Sequence, residues 1–86
     1  MYNKVKKCLE SMAYGFVECE SVEFNSGIKL SNGFWVYASA RKELYVEISD
    51  NGDIDVWDYK SGKHDYTIGK KEVYVMMFHL AWILNN

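Results

Sequence analysis

The chain contains no proline and only two cysteines, Cys8 and Cys19, among its 86 residues. Without proline, strand and helix ends must be set by glycine and polar turns. Two thiols do not make the disulfide framework of a small secreted domain, so both are expected reduced in a cytoplasmic protein. The N-terminus carries lysines but no apolar h-region or small-residue cleavage site, which argues against a signal peptide. Basic residues are scattered apart from Lys4/Lys6/Lys7 and Lys70/Lys71, against a formal net charge of −2. No basic stripe can track a phosphate backbone, so nucleic acid is not an expected partner. Glycine-rich phosphate loops, paired metal-ligand spacings and nucleophile elbows are all missing. Neither a cofactor nor a metal is expected, no residue is assigned a catalytic role, and the chain reads as non-enzymatic.

Two superficial motifs need weighing. Asp50-Asn51-Gly52-Asp53 resembles the start of a calcium loop, but the glycine comes too early and Val56-Trp57 continues a strand; it reads as a turn. His64 and Asp65 are neighbours on one strand, so their side chains should point to opposite faces and form no dyad.

What is present is a globular composition: 49% hydrophobic with 26% charged residues, expected as one domain spanning 1–86. Residues 3–14 read as an amphipathic helix, with Val5, Cys8, Leu9 and Met12 on one side and Gly15 placed to stop it. Strands are expected at about 16–24, 28–30, 34–40, 44–49, 54–59 and 64–69. Three-residue loops with a left-handed glycine, as at Gly27, Gly33 and Gly52, put apolar residues opposite apolar residues throughout. They pair Val22 with Leu30, Leu30 with Phe34, Ile28 with Val36, Ala40 with Leu44, Val36 with Ile48, Val46 with Val56 and Val56 with Ile68. The expected fold is therefore α+β: an N-terminal helix, an antiparallel meander of five or six strands, and a C-terminal helix packed on one sheet face.

That last helix runs from about Lys70 to Leu84, with Thr67 the nearest cap, and has almost no polar side. Its apolar run falls short of the roughly 20 residues that span a bilayer. It also lacks the basic face of an interfacial helix, so no membrane contact is expected. Val73, Met76, Met77, Leu80 and Ile83 or Leu84 suit the sheet. Tyr74, Val75, Phe78 and Trp82 must then meet the first helix or a second chain, which makes a homodimer an open alternative.

Alternation sorts the strands into an oily face for the helices and a second face bearing rings and acids. Trp35, Tyr37, Tyr45, Trp57 and Tyr59 are the expected anchors for another protein, with Glu47, Asp55 and Asp58 steering one whose surface is basic. In size, acidity and aromatic content over the whole chain, though in no motif, the sequence is similar to small phage-encoded inhibitors of bacterial defence systems and to toxin-neutralising immunity proteins. The likeness implies an antagonist that occludes a partner. The alternative is a homodimer holding a small ligand in its seam.

Overall fold

The computed structural model describes residues 1–12, 14–39 and 42–85, and of Val73 the backbone alone. Helix α1 (Tyr2–Ser11) buries Val5, Cys8 and Leu9 along one stripe. It ends before the expected Tyr14. Ser11 Oγ donates to the Cys8 carbonyl at 2.7 Å, and the Met12 N–H donates to the Leu9 carbonyl at 3.2 Å, closing the last turn. Gly15 is not the helix stop; it opens a strand.

Among the described residues seven strands follow: β1 (Gly15–Cys19), β2 (Val22–Glu23), β3 (Lys29–Leu30), β4 (Gly33–Ser39), β5 (Lys42–Ile48), β6 (Ile54–Asp58) and β7 (His64–Ile68). Five form an antiparallel sheet in the order β1-β4-β5-β6-β7, while β2 and β3 make a separate hairpin. The chain is thus α+β, with a helix at each end of an antiparallel sheet. The expected first strand, however, is two strands. β1 takes the edge of β4, pairing Phe16 with Val36 and Glu18 with Phe34, so the expected Leu30–Phe34 and Ile28–Val36 pairs do not form. Ile28 is exposed instead. Gly33 does not turn a loop with positive φ, as Gly27, Gly52 and Gly62 do. It lies buried in the ladder, where an added methyl would collide with the Val46 carbonyl oxygen.

Val22–Leu30, Ile48–Ile54 and Val46–Val56 pair in the expected register. Val36 faces Leu44 instead of Ile48, and Val56 faces Tyr66 instead of Ile68. Both displacements are even, so each side chain keeps its face. The expected Ala40–Leu44 contact lies outside the described residues. Irregularities interrupt the ladder between Tyr37 and Ser39 and between Val56 and Trp57.

The C-terminal segment begins as a 3₁₀ turn (Lys70–Val75) and continues as α2 (Met76–Asn85). Its start is capped from a distance: an Asp53 carboxylate oxygen accepts the Lys70 N–H at 2.9 Å, and Glu72 accepts the Gly69 N–H at 3.1 Å. Thr67, the expected cap, donates to Asp55 at 2.7 Å. Met76, Leu80 and Leu84 pack with Val5, Cys8 and Leu9 of α1 over the aliphatic face, where Phe34, Val36, Leu44, Val46, Ile54, Val56 and Ile68 are buried.

Candidate functional site

Two surfaces compete for a role: the ring-bearing sheet face and the outer side of α2. On the sheet, Trp35, Tyr45 and Trp57 stand in one row across β4, β5 and β6. Trp35 stacks on Tyr59 with ring centres 4.6 Å apart and 16° between planes, and Tyr37 lies 4.8 Å from Trp35. The face therefore assembles as its alternation implies, but it does not stay open.

The β2–β3 hairpin lies over it. Phe24 and Leu30 are buried with Tyr45, and Cys19, Val22, Trp35, Trp57 and Tyr59 pack around them. Val22, Phe24 and Leu30 thus cover the aromatic face, not the helical core for which their period suits them equally. Tyr45 has no exposed surface, and its hydroxyl donates to the Ser31 carbonyl at 2.6 Å. Burial pushes that phenol above its ordinary range. Glu47 accepts the Ser31 N–H at 2.8 Å and the Ser31 hydroxyl at 3.2 Å. Tyr45 and Glu47, expected as anchor and steering charge, instead clamp the chain's own hairpin, and Tyr45 has nothing left to offer a partner. Trp57 is half-buried, with its indole 6.0 Å from Phe24 and its Nε1 without a partner among the described residues.

The remaining acids are similarly engaged. Asp55 accepts from Thr67 and, at 3.3 Å, from Ser49, and lies 3.4 Å from His64 Nε2. Asp58 faces Leu44 across the ladder, a position of the aliphatic face, and accepts the Ser61 N–H at 2.9 Å. It cannot steer a partner toward the rings. Asp65 lines a cleft with Lys42, Asp58 and Leu84 because the irregularity at Trp57 changes the parity of β7 there. The same change brings His64 opposite Trp57, 5.2 Å away ring to ring. Of the proposed anchors, Trp35, Tyr37, Trp57 and Tyr59 keep partly exposed edges.

Thr67, His64 and Asp55 form a hydroxyl, imidazole and carboxylate cluster that adjacent-residue reasoning missed. His64 Nε2 meets Thr67 Oγ1 at 2.9 Å, yet the same oxygen donates to Asp55. One imidazole nitrogen faces both groups, whereas a nucleophile relay needs the ring between them, one nitrogen to each. Cys8 is buried, and burial raises its thiol pKa, which disfavours the reactive thiolate.

The outer side of the C-terminal segment differs sharply. Tyr74 is 83% exposed, Phe78 77% and Trp82 70%, and Met77 is also exposed. Val75, expected with them, is half-buried, while Met77, expected on the sheet, is outside. The 3₁₀ turn explains the exchange: at three residues per turn it advances faster than an α-helix, so a single helical wheel misplaces the residues near its junction. Val73's side chain lies outside the described residues. Around the N-terminal end of this ridge stand lysines. Lys4 and Lys7 of α1 line a groove with Tyr74 and Met77, and Lys70 and Lys71 begin the 3₁₀ turn. None of the four forms an ion pair among the described residues, whereas Lys6 pairs with Glu18 at 3.3 Å. On the opposite side of α2, His79 is held between Tyr66, 2.9 Å away, and Glu72, 3.4 Å away.

Among the described residues no helix is long and apolar enough to cross a membrane. Comparison with protein families, with curated proteins and with solved structures returned no match to this chain.

Proposed function

We propose that the protein is a non-enzymatic binding module that docks an apolar protein surface on the ridge of Tyr74, Met77, Phe78 and Trp82. The observation that carries this reading is the exposure of three aromatic rings spaced four residues apart, Tyr74 in the 3₁₀ turn and Phe78 and Trp82 on α2. Rings of this kind are the commonest interface anchors, because each offers a large area at little conformational cost. A contiguous patch of this size on a small domain marks a contact site. The ridge replaces the sheet face as the leading surface, since the hairpin already occupies much of that face. Its neighbouring charges are lysines, so the expected basic partner gives way to one presenting apolar surface beside negative charge or carbonyl groups. The mode of action is steric, through occupation of the partner's own contact surface.

The test is affinity capture with wild type, a Phe78→Ser/Trp82→Ser variant and a Tyr37→Ser control. The ridge variant should keep its thermal transition and lose its captured partner, while Tyr37→Ser keeps both. Equal capture by all three would remove the ridge from the function.

A further inference from the structure

We infer that the ridge is occupied by a second copy of this chain, two α2 helices packing antiparallel about a two-fold axis near Phe78. The inference rests on the docking reading above and names its partner. Three observations favour self-pairing.

The first is spacing. Tyr74, Phe78 and Trp82 place one ring at the centre and one four residues to each side. Reversing the line about Phe78 sets Tyr74 beside the second copy's Trp82, and Trp82 beside its Tyr74. This is the self-complementarity an isologous contact requires, in which each patch meets its own image. Phe78 and Trp82, at i and i+4 of α2, form a ridge of the kind by which helices pack, and Tyr74 extends it from the preceding 3₁₀ turn.

The second is area. Three rings exposed by 83, 77 and 70%, at roughly 200 Å² each, leave roughly 450 Å² uncovered. A stable interface takes about 800 Å² from each partner. The rings alone therefore supply more than half, and Met77 and the outer edge of α1 extend the same surface.

The third is charge. Lys70 and Lys71 stand at the start of the helical run, and no basic residue lies in the last turn of α2. At the carboxyl end of α2 the Lys42 ammonium donates to the Ile83 carbonyl, so what the antiparallel arrangement gains is that the Lys70/Lys71 pairs of the two copies stand at opposite ends of the contact. The two helix dipoles also oppose each other. A parallel pair would bring lysine against lysine and align the dipoles.

The experiment uses the purified full chain alone, by sedimentation velocity from micromolar to sub-millimolar concentration. Wild type should sediment as a species of twice 10.0 kDa. Phe78→Ser should raise the dissociation constant by at least roughly 30-fold with secondary structure unchanged by circular dichroism. A second variant guards against misfolding. In a Cys19→Ser background, Phe78→Cys should give a disulfide-linked dimer on mild oxidation, since the axis places the two residues 78 side by side. The inference fails if wild type is a monomer throughout, or if the dimer survives Phe78→Ser and the cross-link does not form. It fails too if a monomer binds vesicles containing phosphatidylserine through the ridge, which would make this a membrane-facing surface. A monomeric wild type that still loses a captured partner on Phe78→Ser/Trp82→Ser overturns self-pairing alone; capture indifferent to the ridge overturns the docking reading as well.

Discussion

Tyr45→Phe removes one oxygen atom from the largest fully buried side chain among the described residues. That oxygen donates to the Ser31 carbonyl at 2.6 Å, at the point where the hairpin leaves the sheet. A neutral hydrogen bond contributes about 0.5–1.5 kcal/mol net, and an acceptor left buried and unpaired costs about 1–3 kcal/mol. Ser31 is an exposed residue, so its carbonyl can regain water, and the expected loss is about 1 kcal/mol. In a domain of 86 residues each kcal/mol lowers the melting temperature by roughly 4–8 °C.

The loss should be local before it is global. Amide protection across β2–β3, where Val22 faces Leu30, should fall more than protection in β5 and β6. Trp35 and Trp57 pack beside Tyr45 in the same cluster, so their fluorescence should report the loosened hairpin. Tyr45→Ala removes the whole ring and should cost about 3–5 kcal/mol, as large core truncations do. A recognition anchor behaves oppositely: truncation spares the fold and weakens binding. If Tyr45→Phe melts like wild type with β2–β3 protection unchanged, the hydroxyl does not hold the hairpin and the account of the covered face is wrong.

Asp53→Ala removes the acceptor for the Lys70 N–H and for the Asn51 side chain; loss of a helix cap of this kind costs about 0.5–2 kcal/mol, read as a lowered melting temperature that Asp53→Asn should largely restore. No change would show that the helical run is held by packing alone. At the other end of the fold, Tyr2 donates to Glu18 and Lys6 pairs with it, which holds the Glu18 carboxyl below its ordinary value of 4.5 and pushes Tyr2 up to about 12. A depressed carboxyl pKa stabilises the fold above that ordinary value and the stabilisation fades as pH falls through the lower folded value; a raised phenol pKa stabilises below 10.0 and fades as pH climbs toward about 12. Glu18→Gln should therefore melt below wild type at neutral pH, with the difference shrinking toward both extremes in a series of thermal melts. A difference independent of pH would assign the contact to packing.

Much of this fold was legible because alternation has period two. The oily set of β4, β5 and β6 reached the helices although two of the expected pairings were displaced along the strands. Val36 moved by four residues and Val56 by two, and an even slip costs the face nothing. The odd irregularity at Trp57 was not legible, and with it went the placement of His64 and Asp65. The helix cap was invisible for a different reason: Asp53 reaches Lys70 from 17 residues away, beyond any local capping pattern.

The covered face marks a deeper limit. Val22, Phe24 and Leu30 alternate with Glu23 and Lys29, which says that one side of the hairpin is buried but not against what. Nothing at Glu20-Ser21 announces a break, since neither glycine nor proline stands there. The break follows because β1 already occupies the edge of β4, leaving β2–β3 only the ring-bearing face for its apolar side. The α2 ridge was legible by the opposite logic. A helix apolar on all sides cannot turn every side to one sheet, and α1, which packs beside it, leaves its outer side uncovered. The surplus must be exposed, and in this protein Tyr74, Phe78 and Trp82 carry it. Such an excess is costly in water unless a second surface removes it, so the proposed contact surface rests on the same count of apolar residues that defines the core.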